Sequence, residues 1–350
     1  MAEMTSLELE RRVVRTDGHD VPFDALILAL GSEPAFFGVE GADEHAFPLR
    51  WMDDAIPLRH HVLTRFEAAQ TADPERRRRL LTFVVVGGGP TGVEYAGALS
   101  ELLHGPMLRD FPWVRPGDVS IQVIEAADRL LSGMPASLSE FASDRLRRRE
   151  VRVRLESVVE SVTATSVRLA SGDCVPTETV VWTAGVRGEP RAADWGLPVT
   201  RGGRVPVTPT LQLADYPDVY VVGDLAYLED AEGHALPQVA QVAIQQGRRA
   251  AKNILARAAD EEPRPFEYRD PGMLAVIGRN AAVAHVFGRA FKGRLAWVLW
   301  LAIHITWLIG FRNRVLVLLS WGWNYVFFRR AVRLILPTLT VSRRPPDHGP

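Results

Sequence analysis

Three glycines, Gly87, Gly89 and Gly92, separate an apolar run, Phe83 to Val86, from a helix-compatible stretch containing Glu94, Tyr95, Ala96, Ala98 and Leu99. Strand, tight turn and helix with G-x-G-x-x-G spacing form the arrangement that a pyrophosphate requires. Gly87 lets the chain turn. Gly89 lets backbone N–H groups reach phosphate oxygens with no side chain between, and Gly92 lets the helix pack closely on the strand. The helix N-terminus then faces an anion with unpaired donors and a partial positive charge. The same spacing also occurs in bland turns of α/β sheets, so the flanking strand and helix carry the dinucleotide reading.

Glu125 ends the strand SIQVIE at 120–125. A carboxylate there accepts hydrogen bonds from the adenosine ribose hydroxyls and repels a 2′-phosphate, favouring NADH over NADPH. Glu125 lies farther from Gly92 than the usual separation of about 20 residues. The proline- and glycine-rich stretch 104–118, read as an inserted loop, accounts for the excess. Arg129 nearby leaves NADPH open, and a plain strand-end surface acid is the alternative for Glu125.

The second half carries a second ligand pattern. DVYVVGD at 218–224 predicts a strand whose end places Gly223 and Asp224 where a cofactor lies over strand termini. PQVAQVAIQQG at 237–247 then begins a helix on which Gln241 and Gln245, four apart, share a face. Amides there donate to a carbonyl ligand or simply meet water. Two further strand ends are candidates, Gly31 after VPFDALILAL and Gly185 after TVVWTA.

Around these residues the pattern predicts a strand at 7–15, a helix at 52–70, a β-α-β unit from 83 to 125, and a charged helix at 137–150. A strand at 151–155, a hairpin-like pair over 158–174 and a return strand at 179–184 follow. The tetra-arginine run 76–79 reads as a solvated helix end. The 350 residues suffice for about two domains. A formal net charge of -1 offers no global attraction to nucleic acid. Cys174 is the only cysteine, so no disulfide framework, C-x-x-C redox pair or multi-cysteine metal site exists, and no metal is expected. A small, at least half-buried side chain is the default for it. The first residues carry acids and no apolar core, which points away from a signal peptide and towards an intracellular location.

LAWVLWLAIHITWLIGF at 295–311 and the run 315–328 are nearly wholly apolar, with Arg312 and Arg314 between them and five of the nine tryptophans inside. As a helix the first run reaches about 25 Å, short of a hydrocarbon core of about 30 Å. Tryptophan with arginine favours the interface. Two helices embedded in one leaflet are expected, with a single span through 295–311 as the rival and a buried hairpin or dimer core as the soluble alternative.

Taken together, ILALGSEP at 27, VVVGGGPTGVEYAG at 84, VIEA at 123, VVWTAGV at 180, VYVVGD at 219, AQVAIQQG at 240 and the Trp-rich tail with GFRNR at 310 resemble the type II NADH dehydrogenases. These are single-chain NADH:quinone oxidoreductases of the pyridine nucleotide-disulfide reductase superfamily, and the resemblance covers about 7–340. It implies an α/β fold of two dinucleotide-binding, Rossmann-like domains with a C-terminal hydrophobic helical membrane anchor. The FAD-binding domain would be 1–50 with 188–290, the NADH-binding domain 79–187, the membrane-associated helices 291–340 and a disordered tail 341–350. Gly223 and Asp224 would hold FAD and Glu94 would lie near the nicotinamide and flavin rings. Gln241 and Gln245 would contact the quinone. The tail would dock on membrane lipid at the cytoplasmic face, and a homodimer paired through it is compatible with the pattern.

The family opens with a β-α-β unit whose own G-x-G-x-x-G holds the ADP part of FAD, and no such unit precedes residue 87. An incomplete first domain is therefore expected, from a downstream start, a truncated gene or weak flavin retention. The implied activity is FAD-dependent, non-proton-pumping transfer from NADH to a membrane quinone. The alternative is a flavin-deficient NADH-binding membrane protein without that activity. Disulfide reductases and sulfide:quinone reductases need reactive cysteines that a lone Cys174 cannot supply.

Overall fold

The computed structural model describes residues 2–307 and 310–327. They fall into two compact units, one of the residues up to Ala35 with Gly185–Gly272, the other of Phe36–Ala184 with the residues from Met273 on.

The larger unit is built on a five-stranded, all-parallel sheet in the order Ala46–Pro48, Thr179–Trp182, Thr82–Val86, Ser120–Ile124, Val151–Arg154. The central strand Thr82–Val86 is buried at every position, as its unbroken β-branched run requires of a strand covered on both faces. Phe83 and Val85 pack towards the helices, with Leu63, Phe66, Val93 and Leu103. Val84 and Val86 pack on the other face, with Val159, Val162 and Val167. The chain runs outward from the central strand on one side and returns on the other, so the order reverses at the carboxyl end of Thr82–Val86, beside Gly87. That is where open parallel sheets bind ligands.

Several sequence expectations shift here. The hairpin-like pair over 158–174 is a three-stranded antiparallel meander, Val159–Thr163, Ser166–Leu169 and Cys174–Pro176, turning at 163–166 as well as at 169–174. Cys174 is exposed on its last strand. The stretch 104–118 is not a loose insertion. A π-helix Leu103–Met107 continues the glycine-turn helix Pro90–Leu102, and Met107, Phe111 and Val114 are buried in the main core. Their apolar side chains outweigh the local proline and glycine signals. The unit boundaries also move. Strand Ala46–Pro48 joins the parallel sheet, and helix Met52–Ala69 covers it with Leu58, Val62, Phe66 and Ala69. Strands Met273–Gly278, Ala281–Val286 and Arg289–Gly293, expected with 188–290, belong to this unit, because Ala275, Ile277 and Val283 bury their side chains in its core.

The smaller unit pairs Leu26–Leu28 in parallel with Val219–Val221 and Ser32–Pro34 antiparallel with Val186–Gly188. Leu28, Val219, Val221 and Leu225 form its core. The single strand expected at 7–15 is instead a meander of Met4–Glu8, Val13–Thr16 and Asp20–Pro22. Helix Ala240–Ala258 contributes Ala250 to a core with Leu211 and Tyr220.

The apolar tail forms helices Arg294–Trp307 and Phe311–Phe327. No helix among the described residues is long and apolar enough to cross a membrane. The rival reading, a single span through 295–311, is interrupted at Gly310, which adopts φ +84°, and a new helix begins at Phe311. Ala296 is buried with Ala282 and Ala284, which seats the first helix on the antiparallel sheet. Trp300 stacks on Trp321 at 5.7 Å between ring centroids, bringing the two helices together. Leu295, Val298, Phe311, Leu316, Leu319 and Trp323 remain exposed. The tail expected at 341–350 lies outside the described residues.

Phe66 is fully buried between Phe83 and Phe111, at centroid distances of 6.1 and 5.5 Å. Phe66→Ala is expected to lower unfolding free energy by about 3–5 kcal/mol, measured by urea denaturation, and a loss below about 1 kcal/mol would contradict this packing.

Candidate functional site

In the larger unit the glycine turn has the geometry that its spacing predicts. Gly87 adopts φ +108°, and a Cβ there would come within 2.7 Å of the Ala184 backbone. A Cβ on Gly92 would overlap the Gly87 carbonyl oxygen, so the helix approaches the strand end as closely as a hydrogen permits. Gly89, the N-cap of the helix, has open space where a side chain would be. The first N–H groups of that helix have no partner within it and stand beside this open space.

Two side chains hold the turn. Thr183 Oγ1 donates to the carbonyl oxygens of Val86 at 2.9 Å and Gly87 at 3.2 Å. Glu125 accepts the Gly88 N–H through Oε2 and the Ala127 N–H through Oε1, the latter at 2.8 Å. Glu125 thus ties the end of its strand to the glycine turn. Sequence reasoning singled out Gly185 in TVVWTAG and passed over Thr183 two residues earlier. The polar residue ending an apolar strand was the available signal.

Glu94 lies on the glycine-turn helix, mostly withdrawn from water, and accepts the Val276 N–H through Oε1 at 2.9 Å. Burial raises its pKa above the ordinary 4.5, against the opposing effect of that hydrogen bond. Seven residues on, Glu101 accepts the Arg279 N–H from the same hairpin. Between them a Cβ on Gly97 would come within 2.5 Å of the Ile277 carbonyl oxygen. One helix face, Glu94, Gly97 and Glu101, is therefore seated on the strand that leads towards the apolar tail.

The remaining candidates belong to the smaller unit. Gly31 and Gly223 adopt φ +79° and +73°. Asp224 is buried and accepts from Ser32 Oγ at 2.7 Å. Gln238 Nε2 donates to the Asp224 carbonyl at 3.0 Å. The Gly185 carbonyl accepts the Ala35 N–H at 3.0 Å, a strand-pairing role. Gln241 and Gln245 share the helix Ala240–Ala258, and their surroundings differ. Gln245 clamps the Arg269 backbone, donating to its carbonyl at 2.9 Å and accepting its N–H at 3.1 Å. Gln241 is half-buried on the first turn of that helix. A glutamine that sequence reasoning did not select, Gln246, is fully buried and accepts the Gly223 N–H at 2.7 Å, while its Nε2 has no hydrogen-bond partner among the described residues.

Two outcomes follow from this geometry. Gly92→Ala should cost about 3 kcal/mol or more by overpacking, whereas Gly89→Ala should leave unfolding within about 0.5 kcal/mol of the parent. Equal effects in urea denaturation would rule out the close approach. Because the folded Glu94 holds its proton more tightly than the unfolded chain does, its contribution is most favourable below pH 4.5 and is lost as pH rises through the folded pKa. Unfolding measured from pH 4 upwards should therefore shift in favour of Glu94→Gln as pH rises, and parallel curves for the two proteins would contradict the burial.

Comparison with known proteins agrees with this geometry. Residues 2–247 match the family described as pyridine nucleotide-disulphide oxidoreductase. The chain is 36% identical over 346 residues to the type II NADH:quinone oxidoreductase Ndh of Mycobacterium tuberculosis, an alignment covering 94% of this chain and 74% of that protein. It is 33% identical over 363 residues to NdhA of the same organism, covering 98% and 76%. Among solved structures, NDH2 from Plasmodium falciparum in complex with NADH superimposes with a TM-score of 0.85 at 18% identity, over 94% of this chain and 84% of that one. A family match over most of the chain and relatives at 33–36% identity along nearly its whole length place it plainly: the chain belongs to the type II NADH:quinone oxidoreductases of the pyridine nucleotide-disulphide oxidoreductase family.

Proposed function

We propose that this chain oxidises NADH and delivers the electrons, through bound FAD, to a quinone in the membrane, without pumping protons. The observation that carries the reading is the glycine turn, in which Gly92 permits the close approach and Gly89 leaves the helix N-terminus open to a pyrophosphate. The M. tuberculosis relatives, named NADH:quinone oxidoreductases, support the same activity.

The larger unit would bind NADH. Backbone N–H groups at the start of helix Pro90–Leu102 would hold the pyrophosphate, and Glu125, fixed by Gly88 and Ala127, would receive the adenosine ribose hydroxyls. The smaller unit fits a flavin. Gly31 and Gly223 supply left-handed turns at strand ends, Asp224 is a buried carboxylate, and the buried Nε2 of Gln246 is an orphaned donor next to the Gly223 turn. FAD, when bound, supplies the two-electron chemistry. Glu94 has Oε1 engaged by Val276, which leaves Oε2 to hold a proton at the raised pKa and pass it on during quinone reduction. Gln241 would donate its amide to a quinone carbonyl. Gln245 would act indirectly, by holding the backbone of Arg269. Electrons and protons are taken and delivered at one membrane face, so the reaction as written moves no charge across the bilayer.

The paired helices Arg294–Trp307 and Phe311–Phe327, with their exposed leucines and tryptophans and with Arg312 and Arg314 between the apolar runs, would lie in one leaflet at the cytoplasmic face. The same surface is the one through which two copies would pair.

The test is NADH oxidation with a short-chain quinone, with and without added FAD. Turnover that requires flavin is expected, and no quinone reduction from a flavin-loaded chain would refute the proposal. Gln241→Ala should lower quinone turnover by about tenfold, the equivalent of one hydrogen bond of about 1.4 kcal/mol, while leaving NADH affinity unchanged. Equal losses in both would refute its assigned role.

A further inference from the structure

The chain from Pro271 on differs sharply in charge from the residues before it. From Pro271 to Pro346 there are eleven Lys and Arg and no Asp or Glu, whereas the first 270 residues hold 30 Lys and Arg against 41 Asp and Glu. Four of these cations, Arg289, Lys292, Arg294 and Arg312, are exposed on the C-terminal sheet and the two apolar helices. None of the four has an ion-pair partner among the described residues; Lys292 instead stands over the Phe141 ring, 5.8 Å from its centroid.

Two of the cations stand where helix stability disfavours them. Arg294 is the first residue of helix Arg294–Trp307 and Arg312 the second of helix Phe311–Phe327, and neither first turn holds an acid. The partial positive charge at a helix start repels a cation, so these positions weaken each helix unless an external anion offsets them. Beside the cations lie exposed side chains that water does not favour, Leu295 and Val298 in the first helix and Phe311, Leu316 and Leu319 in the second.

A third element shares this character. Phe287 and Gly288 form the two-residue turn that joins strands Ala281–Val286 and Arg289–Gly293, with Val286 paired to Arg289. Their φ values are +51° and +70°. Such turns take Asn, Asp or Gly, because both central residues are left-handed. A phenylalanine here is strained and is also 88% exposed, so neither backbone preference nor packing within the fold accounts for it. Arg289 is the first residue after the turn. The helix starting at Arg294 follows the same strand directly and is seated on this sheet through Ala296.

We infer that the C-terminal sheet and its two helices dock on the net negative surface of a bilayer containing anionic phospholipid, with Arg289, Lys292, Arg294 and Arg312 on lipid phosphates and Phe287 inserted as a wedge among the acyl chains. The inference rests on the lipid docking proposed above and adds to it the headgroup class and a third point of entry. Apolar side chains enter any bilayer alike. Cations without acidic partners gain attraction only where headgroups carry net negative charge, about fivefold in affinity per Lys or Arg. Nucleic acid would match the charge but offers no apolar phase for Phe287 and the exposed leucines.

The full chain, in detergent diluted below its micelle concentration, is mixed with vesicles of phosphatidylcholine alone or of phosphatidylcholine with phosphatidylglycerol, and bound protein is measured by flotation. Binding to both is expected, at least about tenfold tighter with phosphatidylglycerol, the difference shrinking as salt rises. Arg289→Gln and Arg294→Gln should each weaken binding to the anionic vesicles by about fivefold and leave binding to phosphatidylcholine unchanged. Phe287→Gly should weaken binding to both by about tenfold. Glycine suits the left-handed turn, so thermal denaturation of that variant should show an unfolding midpoint no lower than the parent's. Equal binding of the parent to the two vesicles overturns the headgroup assignment and leaves the docking reading standing, whereas no binding to either overturns both. Parent-like binding of Phe287→Gly overturns the wedge. If the variants bind vesicles as the parent does but convert a dimer to monomers on sedimentation in detergent, the surface belongs to a second copy and the inference fails.

Discussion

The approach of the Gly92 backbone to the Gly87 carbonyl is the constraint on which the larger unit depends. It lets the helix Pro90–Leu102 begin directly over the end of the central strand, so that its axis and its unpaired N–H groups point at the sheet's switch point. Any side chain at Gly92 would move the helix away from the strand and lengthen the turn. Thr183 and Glu125 then hold the turn from the two neighbouring strands, one by donating to its carbonyls and the other by accepting its N–H. The whole arrangement is fixed by groups that a ligand need not touch.

The same helix carries a second constraint along its length. Glu94, Gly97 and Glu101 place two carboxylate acceptors and one bare backbone position on one face, matched to the N–H groups of Val276 and Arg279 and to the Ile277 carbonyl. A strand with no sheet partner on that side needs acceptors for its exposed N–H groups, and the helix supplies them. This seats the C-terminal antiparallel sheet, and through Ala296 the first apolar helix, on the element that also bears the glycine turn. Glu94 thereby combines a structural hydrogen bond with a carboxyl group that burial keeps easier to protonate than usual.

The smaller unit resolves its polar groups differently. Asp224 and Gln246 are withdrawn from water at the end of strand Val219–Val221, where a buried charge and a buried amide both require partners. Ser32 satisfies one carboxylate oxygen and the Gly223 N–H satisfies the amide oxygen. The amide nitrogen is left without one among the described residues. A buried donor in this state is costly unless something else accepts from it, which is why this turn stands out from ordinary strand ends in the unit.

Much of the larger unit was legible in the sequence, because its signals are local. Gly87, Gly89 and Gly92 with an apolar run before them, Glu125 at a strand end and the Trp-rich tail each depend on neighbouring residues alone. What the sequence could not settle is where distant segments meet. The stretch 104–118 looked like a loop by its prolines and glycines, and became core because Phe111 packs on Phe66, far away in the chain, and Met107 joins the same buried cluster. Gln241 and Gln245 share a face by helical period, yet only tertiary contact with Arg269 gives Gln245 a backbone to clamp, and only contact with Gly223 singles out Gln246. The sequence by itself determined the strand, glycine turn and helix, since sterics at three glycines and hydrophobic period act over a few residues. The tertiary structure decided the domain edges and the pairing of Glu94 and Glu101 with the C-terminal hairpin, because hydrogen bonding and desolvation depend on which residues folding brings together.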